Sequence, residues 1–209
     1  FEIVEGLKAI THLSGDLEDL PPEGSLAPDT YAFRRGQEMT DVLSRMAQAQ
    51  TRIIEAAWAA RQPNLPIQTP EEMLILASIV EKEAGGPGEW NRVASVFVNR
   101  LNRGMRLQAD ATIAYGLTEG KSRRGFDLTR SEINQRTPWN TYQIEGLPPT
   151  PIGNPGRRAI EATVTPEASS FLYFVADGTG GHAFAETLAE HNRNVEVWRQ
   201  IEAQRNANQ

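Results

Sequence analysis

The residues with the clearest chemical potential are two glutamates, Glu81 and Glu83, in the stretch "LASIVEKEAGG" (Leu76–Gly86). A helix that is apolar nearly all round belongs in a core, so this one has almost no polar face for its carboxyls. At about 100° per residue, Glu81 falls between the directions of Ala77 and Leu74, and Glu83 between those of Ile79 and Leu76. Only Ser78 and Lys82 mark a polar stripe. Glu81 lies in the last turn, where the helix macrodipole is negative. That field and an apolar surround both push a glutamate's pKa upward. A carboxyl kept protonated near neutral pH is a general acid, able to protonate the departing oxygen of a glycosidic bond. The pattern leaves Glu81 and Glu83 near equal as candidates. It also leaves open a structural reading, in which Glu81-Lys82-Glu83 is a charged helix end reaching solvent.

Other chemistries find less support. The three histidines, His12, His182 and His191, lack a metal-site spacing, so no metal is expected. "GPGEW" and "DGTGGH" are glycine-bearing turns, not a P-loop or dinucleotide fingerprint. No nucleophile elbow is present, and nothing near Lys82 resembles a pyridoxal phosphate site, so no cofactor is expected. With no cysteine, a disulfide framework and thiolate catalysis are excluded. The net charge of -6, from 21 basic and 27 acidic residues, gives no drive toward nucleic acid. The short basic run Lys121-Ser122-Arg123-Arg124 reads as a solvated loop. No apolar run approaches the roughly 20 residues of a membrane span. The chain opens at Phe1 without a signal peptide, so it reads as a fragment or processed form whose targeting segment would lie upstream.

The 209 residues, 39% hydrophobic and 23% charged, suit one domain with a small appendage. Thr69-Pro70-Glu71-Glu72 predicts an N-cap, a proline at N1 and a capping-box glutamate for the "LASIVEKEA" helix, which Gly85-Gly86-Pro87 stops. Before it, Met39, Val42, Leu43, Met46, Ile53, Ala57 and Trp58 recur at helical spacing. After it, a helix from about Glu89 to Arg103 turns Val93, Val96, Phe97 and Leu101 inward, while Arg100 and Arg103 complement its dipole. Asp110 is placed to cap a short helix closed by Gly116, and Thr129 with Glu132 offers another capping box. "TPWNTYQIEGLPPTPIGNPG" (Thr137–Gly156), with five prolines and two aromatics, predicts a long ordered loop. A helix follows from Asn154-Pro155-Gly156. "SFLYFVADGTGGHAFAET" then predicts a hairpin, and a last helix starts near Leu188, opened by Thr187 and Glu190. The fold class is α+β: a helical core with a small antiparallel sheet and a long proline-rich loop.

Four blocks go beyond pattern. "LASIVEKEA", "VASVFVNRLNRGMRLQADATIAYGL", "WNTYQIEGLPPTPIGNPG" and "LYFVADGTGGHAFAETLAEHN" occur in this order. They closely resemble the signature blocks of the YceG-like endolytic murein transglycosylases (MltG), and "EGSLAPDTYAF" resembles the start of that family's catalytic domain. The resemblance covers nearly all of the chain from about Pro21. It implies a YceG-like catalytic domain over residues 21–209, with residues 1–20 as the end of a LysM-like subdomain. It further implies non-hydrolytic cleavage of peptidoglycan glycan strands between N-acetylmuramic acid and N-acetylglucosamine, leaving 1,6-anhydro ends. The catalytic acid would be the first glutamate of "IVEKE", Glu81. Glu83, Gln108, Asp110, Asn140, Thr141, Tyr142, His182, Phe184, His191 and Asn192 would be substrate-binding candidates. Each has a plainer role open to it, as a cap, turn or core residue. Trp139 stands where the family often carries tyrosine, which keeps an aromatic for stacking but loses the hydroxyl. "GKSRRGFDLT" departs from the expected forms and suggests a variable loop.

The same resemblance implies an extracytoplasmic domain of the bacterial cell envelope, held at the inner membrane by an anchor outside this chain and partnered with peptidoglycan synthases. Two rivals remain. One is a muramidase-type hydrolase with a second carboxylate, Asp110, Glu145 or Asp177, activating water. The other is a non-catalytic peptidoglycan-binding or scaffold domain.

Overall fold

The computed structural model describes residues 1–17, 19–86, 88–121 and 128–207. The basic run at 121–124 and the variable loop therefore fall largely outside the described residues, as does Pro87. The architecture is helical with small sheets: α1 (Glu2–Lys8), β1 (Leu13–Ser14), β2 (Gln37–Glu38), α2 (Met39–Ala59), α3 (Pro70–Glu83), α4 (Trp90–Asn102), α5 (Asp110–Thr118), α6 (Arg130–Asn134), α7 (Arg157–Val164), β3 (Tyr173–Ala176), β4 (His182–Ala185) and α8 (Leu188–Ala207). The predicted hairpin forms, with β3 antiparallel to β4 and Phe174 opposite Phe184. A second, parallel pair joins β1 to β2. It is two residues long, too short for any alternation to announce it in sequence.

The core is built around α3, whose Met73, Leu76, Ala77, Ile79 and Val80 are completely buried. Helix α7 packs against α3, α4 and α2, bringing Ala159, Ile160 and Val164 into the same cluster. Burial of this kind supplies about 25 cal/mol per Å² of apolar surface, which is why α3 can hold its position with so few polar contacts. At its start, Thr69 accepts the Glu72 N–H as an N-cap. The Glu72 carboxylate, however, accepts from Gln68 N–H, one residue before the position a capping box would use. The polar stripe assigned to Ser78 does not face solvent. Ser78 is 1% exposed; it donates to Ile75 O and accepts the Ile152 N–H at 3.0 Å, pinning the long loop to the core.

Two further expectations change. Asp110 is the first residue of α5, not its cap, and Gly116 lies inside that helix, which closes at Glu119 in the left-handed region. Gly116 serves close packing instead: a Cβ there would meet Thr137 Oγ1 at 2.5 Å. Arg100 does sit in the last turn of α4, but at 8% exposure it is buried at the core edge. Elsewhere the reading holds. Thr129 and Glu132 form a reciprocal capping box, and Thr187 and Glu190 exchange hydrogen bonds at the start of α8. Residues 137–156 form no helix or strand yet are tied down throughout. Val4 and Leu17 pack with Met39 on the first turn of α2.

Candidate functional site

The last turn of α3 separates two concavities. Because Glu81 and Glu83 are two residues apart, their side chains leave the helix about 200° apart. Glu81 lines a cleft of about 510 Å³ together with Glu23, Lys82, Tyr115 and Asn154. One of its carboxylate oxygens accepts the Gly156 N–H, at the start of α7, at 3.1 Å. Glu83 lines a second pocket of about 290 Å³ with Arg100, Gln108, Asp110, Tyr142 and His191. Ala111, near the start of α5, stands between the two: it lines the larger cleft while its N–H donates to Glu83 at 3.4 Å.

The electrostatics of the smaller pocket are distinctive. Burial, reinforced by the Asp110 charge and only partly offset by the Ala111 N–H, pushes the Glu83 carboxyl up to about 7. Tyr142 donates its hydroxyl to Asp110 Oδ1 at 2.7 Å. Burial, that hydrogen bond and the two nearby carboxylates raise the tyrosine pKa, so it acts as a donor. His191 stacks on Tyr173 with ring centroids 5.2 Å apart. Burial and then the Arg100 charge hold its imidazole below the usual range, and its Nδ1 is buried without a protein partner. Arg100 organises the floor. Its Nε donates to Leu172 O at 2.7 Å, and its Nη1 to Leu107 O at 2.8 Å and to Gln108 Oε1 at 3.3 Å. Those bonds hold Gln108 in the left-handed region, at φ 52°, where a non-glycine residue needs support. The pocket thus joins a carboxyl whose pKa burial raises to about 7, fixed hydrogen-bond groups and a stacked aromatic wall. Such a site can bind a polar ring and deliver a proton to it.

The model of the YceG-like family matches residues 3–197. The chain belongs to this family. Over 179 residues it is 33% identical to an endolytic murein transglycosylase of Bacillus subtilis, covering 85% of this chain and 48% of that protein. It is 34% identical over 178 residues to an endolytic murein transglycosylase of Streptococcus pneumoniae, covering 83% of this chain and 31% of that one. The crystal structure of a YceG-like protein from Listeria monocytogenes superimposes with a TM-score of 0.68 at 37% identity, over 81% of this chain and 54% of that one. The chain therefore spans about half or less of the length of these curated relatives.

In this YceG-like chain the sequence candidates separate by environment. Glu83, Gln108, Asp110, Tyr142 and His191 converge on the smaller pocket, while Glu81 faces the larger cleft. Asn140 and Thr141 are 0% exposed and bound within the protein. Asn140 donates to Ile133 O and Gln135 O and accepts from Tyr142 N–H, while Thr141 Oγ1 accepts from Ala109 N–H and pairs with Thr112. They hold Tyr142 and Gln108 in place. The ring of His182 is bound to Glu89, the N-cap residue of α4, at 2.8 Å and sits beside Phe174 and Phe184, so His182 and Phe184 pack the hairpin onto the start of α4. Asn192 is exposed on α8. Of the possible second carboxylates, Glu145 is exposed, and Asp177 is taken up in the hairpin turn by Thr179 and Gly181 N–H groups. Trp139 donates to Thr150 Oγ1 and packs edge-on against Tyr115.

Sequence reading missed Arg100 and Tyr173. Arg100 left a signal: it stands three residues after Phe97 and seven after Val93, on the apolar stripe of α4. Among the described residues no group of three or more His, Asp or Glu side chains could hold a metal ion. No described helix is long and apolar enough to cross a membrane.

Proposed function

We propose that this chain is the catalytic part of an endolytic murein transglycosylase, and that Glu83 is its acid and base. The observation that carries the assignment is Glu83's pKa of about 7 in a pocket it shares with Gln108, Asp110, Tyr142 and His191. Protonated Glu83 donates to the glycosidic oxygen between N-acetylmuramic acid and N-acetylglucosamine, and the C1–O bond breaks. The carboxylate left behind takes the proton of the muramic acid C6 hydroxyl as that oxygen bonds to C1. The products are a free 4-hydroxyl and a 1,6-anhydro end, and Glu83 recovers its proton. No water enters, so no second carboxylate is required. Asp110, engaged by Tyr142, is read as a group that orients substrate and keeps Glu83 protonated.

Family resemblance instead assigns the acid to Glu81, and the larger cleft that Glu81 lines supports this second reading. The experiment that separates them is mass spectrometry of glycan strands incubated with wild type, Glu83→Gln and Glu81→Gln. Anhydro ends lost only with Glu83→Gln support Glu83; loss only with Glu81→Gln moves the acid to Glu81. Reducing ends from the wild type would mean a hydrolase using Asp110, and intact but bound strands a scaffold domain. The same reading places the protein in the bacterial envelope outside the cytoplasm. It assigns residues 1–20 to a LysM-like subdomain, with an inner-membrane anchor beyond this chain and peptidoglycan synthases as partners.

A further inference from the structure

The larger cleft has no task in the reaction above. Its wall is chemically mixed: Ile3, Pro28, Ala114 and Ile152 give apolar surface, while Glu2, Glu23, Glu81 and Lys82 bring charge to it. The Glu23 and Glu81 carboxylates are fixed. Glu81 is held by the Gly156 N–H, and Glu23 accepts from Asn154 Nδ2 at 3.4 Å, with Asn154 itself locked by the Leu26 N–H. Glu23 also lies against Gly120, where a Cβ would approach its Oε1 to 3.0 Å. The field is felt locally, because the Glu23 charge, after burial, helps to raise the Tyr115 phenol above its ordinary pKa. Lys82 lies along the backbone of Gly153, where a Cβ would come within 3.2 Å of its Cε, and so presents one ammonium at the side of the cleft.

We propose that this cleft binds an uncross-linked peptide of the murein strand, with Glu23 and Glu81 taking the peptide's primary ammonium and Lys82 taking a carboxylate. The proposal rests on the reading of Glu83 as the acid, which leaves Glu81 free for binding. A convergent set of fixed, partly desolvated carboxylates beside apolar surface is complementary to an aliphatic ammonium. Opposite charge at the cleft's edge then favours a ligand that carries both signs. Cross-linking turns the ammonium into a neutral amide, which leaves two carboxylates facing an uncharged group. The cleft is therefore a device for choosing strands before cross-linking, at a place separated from the bond that breaks by the start of α5.

The test is calorimetric titration of a synthetic stem-type pentapeptide with lysine at its third position against the same peptide acetylated on the lysine Nε. The free-amine peptide is expected to bind at least about 10-fold more tightly, with the advantage shrinking in high salt. Glu23→Gln and Glu81→Gln should each reduce that ratio several-fold. The amide oxygen introduced by Glu81→Gln can still accept the Gly156 N–H, and thermal melts check that both variants fold. Equal binding of the two peptides, or a ratio unchanged in both folded variants, overturns the proposal. No bond is cleaved in this measurement, so its failure leaves the role of Glu83 standing, and an active Glu83→Gln enzyme would leave its result standing.

Discussion

Glu81 and Glu83 leave the same helical turn and end in different environments. Glu81 meets a main-chain N–H in an open cleft of about 510 Å³. Glu83 meets a pocket of about 290 Å³ that holds its pKa near 7. Both accept a main-chain N–H, from Gly156 and from Ala111, yet only for Glu83 does burial push the carboxyl up to about 7. The environments differ in what the rest of the chain brings to each side: α5 with Asp110, the loop with Tyr142 and α4 with Arg100 around Glu83, and the N–H of Gly156 beside Glu81. A helix dipole acts on both glutamates alike and cannot separate them.

The largest effect expected on this contrast is kinetic. Glu83→Gln should lower the rate of anhydro-end formation by about 10²–10⁴-fold, the range of a lost general acid, while Glu81→Gln costs less than about 10-fold at saturating glycan. Comparable losses in both would break the contrast. Wild-type activity should fall as pH rises through about 7, since only the protonated carboxyl donates.

A second effect is thermodynamic. Glu83 is raised from an ordinary 4.5 to about 7, so the folded state holds a proton that the unfolded chain releases. The associated stability is fully present below about pH 4.5 and is lost as pH rises to about 7. A shift of this size corresponds to about 3 kcal/mol. Chemical denaturation at pH 5 and pH 8 should therefore show a steeper decline for wild type than for Glu83→Gln, with the variant the more stable at pH 8 relative to pH 5. Parallel declines would remove the desolvated carboxyl from the account.

The smallest effects compare one glycine on each side. A Cβ at Gly85 would meet His182 Cε1 at 2.8 Å and Gly180 O at 3.0 Å. Neither yields easily, because His182 is bound to Glu89 through both its backbone and its ring. Gly85→Ala should cost about 1–3 kcal/mol and lower activity by displacing the hairpin. At Gly156 a Cβ would lie 3.5 Å from Glu81 Oε2, an ordinary contact, and Gly156→Ala should cost only about 0.5 kcal/mol, as at other N-cap positions. Thermal melts of the two variants decide whether the hairpin side is the tighter one.

The sequence made much of this legible. Helix α3 was bounded by Thr69 and Gly85, the hairpin by its β-prone runs around a glycine turn, and the capping box of α6 by Thr129 and Glu132, because each depends on neighbours within a few residues. Local rules misread Asp110, and left the burial of Arg100 unseen, for the same reason. A carboxylate before a helix looks like a cap, and an arginine in a last turn shows its place at the helix end but not its buried bonds, until Tyr142 and Leu172 O, 32 and 72 residues away, are known to be there.

Taken alone, then, the amino-acid order determined that two carboxyls sit at the end of an apolar helix, that a long proline-rich loop is ordered, and that the chain carries the blocks of the YceG-like family. It could not determine that the two carboxyls face different cavities, nor that Asn140 and Thr141 are sealed in while Gln108 and His191 reach a pocket. Helical periodicity fixes directions around one axis, but desolvation and charge fall off over a few ångströms in three dimensions. Only the packing of α4, α5, β3 and the loop around α3 brings distant residues within that range.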